Sequence, residues 1–298
     1  MKITDKLTDP RDYQILFLIT FLSLGILNRD WNLHWQYIVL VTSCCITLQI
    51  ILDSVLKKTT LKKRTQEGVA TPAPISSSNL FGYLNFQGYK SALITSLGLS
   101  LLLRTNNPET FILAGICAIV SKFIFKYRGK HFFNPANFGI IMALIFTQSA
   151  WVTPGQWGSD WWYGLLFLAT GAMVLKKVGR WETTAVFLAV YGGLVGCYDF
   201  YLGWTTDVVF HQLMSGSLLV FAFFMLTDPR SIPNAKQGRM IWATIIAVLG
   251  FVLTNLFYIN NGIFWALFVI SPVTNIIDLL WQDNRFRWLE SPLQISKI

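Results

Sequence analysis

Charge is scarce in this chain of 298 residues, and acidic charge is scarcest: 15 Asp and Glu stand against 24 Lys and Arg, with 13% charged overall. With 53% hydrophobic residues, the chain has more apolar surface than a water-soluble domain can hide. No carboxylate falls near the centre of an apolar run, which argues against a carrier built on paired intramembrane acids. Nucleotide-binding and hydrolytic signatures (P-loop, GxGxxG, GxSxG, HExxH) are missing, so soluble-type phosphate or hydrolase chemistry is excluded. The four cysteines, Cys44, Cys45, Cys117 and Cys197, lack CxxC or metal-type spacing and read as small buried side chains; no metal site is expected. Strict apolar–polar alternation is also missing, which excludes a transmembrane β-barrel. No small-residue cleavage site follows the first apolar run, which is therefore read as a membrane helix.

What is present is a series of apolar runs long enough to cross about 30 Å of hydrocarbon as helices. They lie near 13–28, 35–56, 85–103, 109–126, 132–149, 160–175, 182–202, 208–226, 239–258 and 262–280. The expected fold is an all-α polytopic membrane protein of about ten transmembrane helices. Its formal charge of +9 sits in short loops. Lys57, Lys58, Lys62, Lys63 and Arg64, then Lys122, Lys126, Arg128 and Lys130, then Lys176, Lys177 and Arg180, and Arg230, Lys236 and Arg239 all fall on one side. Positive residues resist translocation, so this pattern is a topology signal and not a nucleic-acid patch. Both termini are expected in the cytoplasm of a bacterial inner-membrane protein whose first partner is the lipid bilayer. One membrane domain covers 1–298: a first hairpin at 13–56, a cytoplasmic linker at 57–84, eight further helices over 85–280, and a tail at 281–298.

Two blocks carry polar chemistry at membrane boundaries. GKHFFNPANFG at 129–139 places Asn134 and Asn137 around Pro135 at the start of an apolar run. Irregular backbone at membrane depth survives only where protein or a water-lined cavity satisfies it. A broken helix starting here would aim free N–H groups at a polar or anionic ligand; an ordinary helix start, with Asn as cap and Pro in the first turn, fits equally. HQLMSGSLLVFAFFMLTDPRSIPNAKQGR at 211–239 opens with His211 and Ser215-Gly216-Ser217 and closes in Thr227-Asp228-Pro229-Arg230. Asp228 is expected to fix that turn by side-chain-to-backbone bonds, with Arg230 or Arg239 as ion partner. SLLLRTNNP (100–108) and FAFFMLTDP (221–229) both end an apolar run in Thr, an Asn or Asp, and Pro, which suits two inverted five-helix repeats. His131 and His211 fall on opposite sides, too far apart for a shared metal or haem. Trp151, Trp157, Trp161 and Trp162 suggest an interfacial belt.

These blocks resemble the RnfD/NqrB family of membrane electron-transport subunits, found in the Rnf complex and in the sodium-translocating NADH:quinone oxidoreductase. The resemblance rests on DPRDYQI (9–15), SALITSLGLSLLLRT (91–105), GKHFFNPANFG, and HQLMSGSLLVFAFFMLTDPRS with Gly238-Arg239. DPR and WVTPGQWG (151–158) are similar to a shorter, stand-alone branch that includes UnbU-type enediyne-biosynthesis proteins. The resemblance implies a ten-helix inverted repeat like that of urea transporters, electron transport through flavins, and other redox or membrane subunits as partners. Electron-transport members bind FMN through a Thr in a Ser/Thr-x-Ala-Thr motif. The matching loop, near 147–161, has only Thr153, in a different context. Covalent FMN is therefore not expected, whereas a non-covalent flavin (FMN or riboflavin) is compatible with an aromatic, small-residue pocket.

On that resemblance the candidate cofactor-binding residues are Lys130, His131, Asn134, Asn137, His211, Ser215, Gly216, Ser217 and Arg239. Pro135, Thr227, Asp228, Pro229 and Arg230 hold the turns, and Arg104 or Arg239 is set to face a flavin's anionic part. Two alternatives use the same fold: a channel or carrier for a small polar solute, and a biosynthetic or assembly partner without redox chemistry.

Overall fold

The computed structural model describes residues 9–29, 34–66, 86–155 and 161–286. The first hairpin pairs α1 (Pro10–Arg29) with α2 (Trp35–Gln66); α3 (Phe86–Leu102), α4 (Pro108–Ile124) and the short α5 (Pro135–Phe146) follow. The second half begins with α6 (Trp161–Val178) and α7 (Trp181–Tyr201). Next come α8 (Thr206–Leu213), α9 (Gly216–Val220), a π-helical turn at Phe221–Met225 and α10 (Lys236–Phe251). A second π-helical turn (Val252–Leu256), α11 (Gly262–Ile270) and α12 (Val273–Leu280) complete it. Four helical stretches are long and apolar enough to span a bilayer alone: Pro10–Leu27, Trp35–Leu56, Trp181–Tyr201 and Lys236–Leu256. Two bent pairs raise this to six: α8 with α9 and its π turn, bent by 49°, and α11 with α12, bent by 52°. The chain is an all-α, multi-pass membrane protein.

Several expected spans differ in detail. The run 85–103 ends as a helix at Leu102, and Leu103–Arg104 forms a strand, β1, paired antiparallel with β4 (Trp151–Val152). The run 132–149 holds only the 12 residues of α5, too short to cross. The runs 208–226 and 262–280 are broken, at Met214–Ser215 and at Ser271–Pro272. α2 continues through Gln66, so the first ten residues of the linker segment 57–84 extend a helix. The rest of that segment, residues 287–298 of the tail and Trp157 lie outside the described residues.

Packing follows from where small residues and caps fall. α5 is wedged against α4, because Gly139 lets it approach: a Cβ there would stand 2.4 Å from the Ala114 carbonyl oxygen. α4 also packs on α2, α3 on α1 and α2, α10 on α7 and α11, and α6 on α9. Phe21 of α1 stacks on Phe167 of α6 at 3.6 Å, joining the two halves through the core. Tight tertiary contacts also gather the loops into two groups. Arg180, Lys130 and Arg239 all bond to the 232–234 loop. Elsewhere, Thr153 N–H donates to Leu102 O, Tyr37 Oη to Asn106 O, and Gly216 N–H to Gly155 O.

Candidate functional site

A cavity of about 80 Å³ opens between the two halves. Its apolar floor comes from Leu18 (α1), Ile94 and Gly98 (α3), Val174 (α6), Ala136 (α5), Val220, Phe223, Phe224 and Met225. The rim is polar: Arg11 and Gln14, Ser91 and Thr95, His131 and Asn134, and the turn Thr227–Arg230. All four sequence blocks that carry the family resemblance, distant along the chain, meet around this one space.

Each rim group has a local reason for its place. Asp9 caps α1, its Oδ1 accepting the Arg11 N–H at 3.0 Å, and its carboxylate holds the Arg11 guanidinium at 2.6 Å. Lys90 bridges Asp12 at 2.5 Å and Asp9 at 3.5 Å, so this quartet is neutral. His131 is delivered by a two-residue hairpin, β2 (Lys126–Tyr127) to β3 (Lys130–His131), turned by Arg128 and Gly129 at φ 48° and 81°. Positive φ at both turn residues is what tight hairpins require. Asn134 is the N-cap of α5: its Oδ1 accepts the Asn137 N–H at 3.0 Å, with Pro135 in the first turn. Its Nδ2 reaches across to the Met225 carbonyl at 3.0 Å.

That carbonyl belongs to the π-helical turn, where widening by one residue frees acceptors from the regular ladder. Thr184 Oγ1 of α7 donates to Ala222 O at 2.7 Å, and Thr227 Oγ1 donates to Phe223 O at 2.6 Å. Side chains from three places thus satisfy the turn and hold Phe223–Met225 as cavity floor. Thr184 and Thr227 are site residues of a supporting kind; Thr184 carries no sequence signal, because only the π turn gives it a partner.

Asp228 accepts the Arg230 N–H at 3.2 Å, as expected of a turn-fixing carboxylate. The basic side chain nearest to it among the described residues is neither Arg230 nor Arg239 but His131, at 3.7 Å from Nε2 to Oδ2. Burial holds the His131 ring below its usual range, against the favourable hydrogen bond and charge of Asp228. Burial alone would raise Asp228; the bond and charge of His131, with the Arg230 N–H and guanidinium, outweigh it and hold the carboxyl below its usual range.

Other candidates lie elsewhere. Lys130 is buried beneath the hairpin, bonded to Asp278 and Ile232 O at 2.6 Å each and to Asn234 Oδ1 at 3.2 Å. Burial lowers its proton affinity, opposed by the Asp278 hydrogen bond and charge. Arg239 is buried against Glu182, with Nε 2.9 Å from Oε1, and also bonds to Asn234 O. Both are neutralised locally, and neither lines the cavity. Asn137 Nδ2 donates to Phe264 O at 3.1 Å, tying α5 to α11. Arg104 folds back on its own helix end, Nη1 donating to Ser100 O and Leu103 O at 2.8 Å each. Ser215 and Ser217 line a second cavity, about 380 Å³, with Gln212, Tyr191, Thr254, Asn260 and Asn261. Gly216 is buried there, and His211 is exposed on α8.

The arrangement defines a class: a multi-pass membrane protein with a broken, π-bulged helix walling a polar-rimmed cavity. A sequence profile described as the NQR2, RnfD, RnfE family matches residues 155–287. The D component (RnfD) of an ion-translocating oxidoreductase complex from Alcanivorax borkumensis is 24% identical over 261 residues, covering 66% of this chain and 75% of that protein. The component of the same name from Vibrio vulnificus is 31% identical over 124 residues, 41% of this chain and 35% of that protein. The D component of a proton-translocating ferredoxin:NAD(+) oxidoreductase complex from Clostridium ljungdahlii is 25% identical over 246 residues, covering 66% and 74%. The second half of the chain is thus similar to the NQR2, RnfD, RnfE family, and about two thirds of it is similar to D components of such complexes.

Proposed function

We propose that this protein is a membrane subunit of an Rnf-type ion-translocating oxidoreductase, set in a bacterial inner membrane with both termini in the cytoplasm, working beside other redox or membrane subunits. The carrying observation is the convergence of the four family blocks on one cavity floored by the π turn. A non-covalent flavin is the ligand inferred for it: Phe223, Phe224 and Met225 offer an apolar aromatic floor, and Gly98 keeps side-chain bulk away from Ala136. Ser91, Thr95, Asn134 and Thr227 offer hydrogen bonds at the rim. When bound, such a flavin accepts and donates electrons; the protein's part is to orient it and exclude water. Thr153, the nearest candidate acceptor for a covalent link, uses its Oγ1 to accept the Gly155 N–H at 3.2 Å.

Two inverted repeats of five spans are supported by matching neighbours. α4 packs on α2 and α5 as α10 packs on α7 and α11, and Asn134 and Asn261 stand at the N-caps of α5 and α11. The absorbance spectrum of detergent-purified protein, before and after acid precipitation, tests the flavin reading. Flavin bands released to the supernatant support it; a colourless preparation that takes up no added flavin refutes it. A conduit for a small polar solute is the second reading, favoured by one feature: α9 and its π turn wall both cavities, Leu218 lining one and Val220 the other. Solute flux in liposomes without redox partners would select it.

A further inference from the structure

The cavity has a buried charge behind its wall, Lys122, that no carboxylate meets in contact among the described residues. Lys122, in the last turn of α4, is only 6% exposed. Its ammonium bonds to Ser91 Oγ at 3.1 Å and Ser91 O at 3.3 Å. Among the described residues no carboxylate lies within salt-bridge distance of it. The nearby acids stand beyond contact and attract it only at a distance: Asp53, which accepts the Gln49 amide at 3.0 Å, and Asp228, which faces His131. Burying a cation with only a hydroxyl and a carbonyl for company is costly, and residues kept at such a cost are functional candidates. Ser91 lines the cavity rim. Resting on the flavin reading only for the identity of the ligand, we propose that Lys122, acting through Ser91, is the counter-charge for an anionic group on an aromatic ligand. Arg230, exposed at the same rim, adds a second positive charge, whereas Arg11 is already matched by Asp9. The cavity therefore selects a ligand with an apolar ring and a phosphate or comparable anion over its neutral counterpart.

The test compares FMN with riboflavin, and 1-naphthyl phosphate with 1-naphthol, by equilibrium binding to the detergent-purified full chain. Wild type should prefer each anion by about tenfold, as a charge-assisted contact would give. Lys122→Met should shrink that margin to the part Arg230 supplies; Lys122→Arg should restore part of the loss. Without ligand, Lys122→Met should melt at or above the wild-type temperature, because a buried unpaired charge has been removed. A purely structural lysine would give the opposite, a lower melting temperature. Equal affinity for charged and neutral partners in wild type, an undiminished margin in Lys122→Met, or no binding of any probe overturns the proposal. If both flavins fail but the naphthyl pair behaves as expected, the counter-charge stands and the flavin reading falls. If the two flavins bind equally well, the flavin reading stands and the counter-charge falls.

Discussion

Arg239 distinguishes a structural role from a ligand-facing one, and its burial sets the scale. The guanidinium and Glu182 are 4% and 5% exposed, and each is the other's partner. Arg239→Met leaves the Glu182 carboxylate buried without its cation. Breaking a buried pair from one side costs about 3–5 kcal/mol. Asn234 O also loses a donor but keeps Arg180 Nη1 at 3.2 Å, so little is added there. At roughly 2–4 °C per kcal/mol for a domain of this order, melting should fall by on the order of 10 °C. Glu182→Gln, which keeps an acceptor of the same shape, should cost less. The double variant Arg239→Met with Glu182→Leu should return to within about 1–2 kcal/mol of wild type, since two matched apolar groups replace the pair. Thermal unfolding in detergent, followed by tryptophan fluorescence with buried Trp242 on the same helix as reporter, measures all three. An Arg239→Met protein with wild-type melting but no bound ligand would refute the reasoning and return this residue to the cavity.

Acid should destabilise the fold in two stages through His131 and Asp228. Both groups hold protons less readily folded than unfolded, so the unfolded chain takes up protons first. Stability is full above about pH 6.5, falls below it as His131 charges, and falls again below the ordinary carboxylate value of 3.8 as Asp228 is neutralised. Melting temperature against pH checks this, and His131→Gln should remove the upper stage and shrink the lower one, because Asp228 then keeps only Arg230 to hold it down. Asn134→Leu removes a helix cap and strands the Met225 carbonyl; the sum is about 2–4 kcal/mol. Asn134→Asp, which keeps the cap but not the donor, should fall between, as denaturant or thermal unfolding will show. Gly139→Ala should be severely destabilising, because its Cβ would meet Ala114 O at 2.4 Å. Gly193→Ala, with nothing within 4 Å on α7, should gain about 0.5–1 kcal/mol; equal melting of the two variants would contradict the α4–α5 packing.

What is legible in the sequence is what local chemistry dictates. Apolar runs announce helices, and Asn134-Pro135 announces a cap followed by a first turn, as found. Asp228 announces a turn, as found, whereas the break between α8 and α9 falls inside a run that reads as one continuous span. Illegible are the partners, because a charge within reach along the chain says nothing of what the fold brings closer. Asp228 has two arginines nearby in sequence and instead meets His131, 97 positions away, since the 126–131 hairpin folds over the turn. Lys130 and Arg239 look like ligand groups because basic residues at membrane boundaries commonly are. Each is instead matched by an acid from a distant helix, Asp278 of α12 and Glu182 of α7. Lys122 runs the other way: by sequence it belongs with the topology-setting loop charges, yet it is buried beside the cavity with no acid to match it among the described residues. The π turn is likewise invisible, because FAFFM has no side chain that demands it. Its acceptors are satisfied by Thr184, Asn134 and Thr227 only once α7 and α5 arrive. The cavity is thus a product of tertiary pairing. A basic residue here is a ligand candidate when its acid is missing, and a lock when its acid is present.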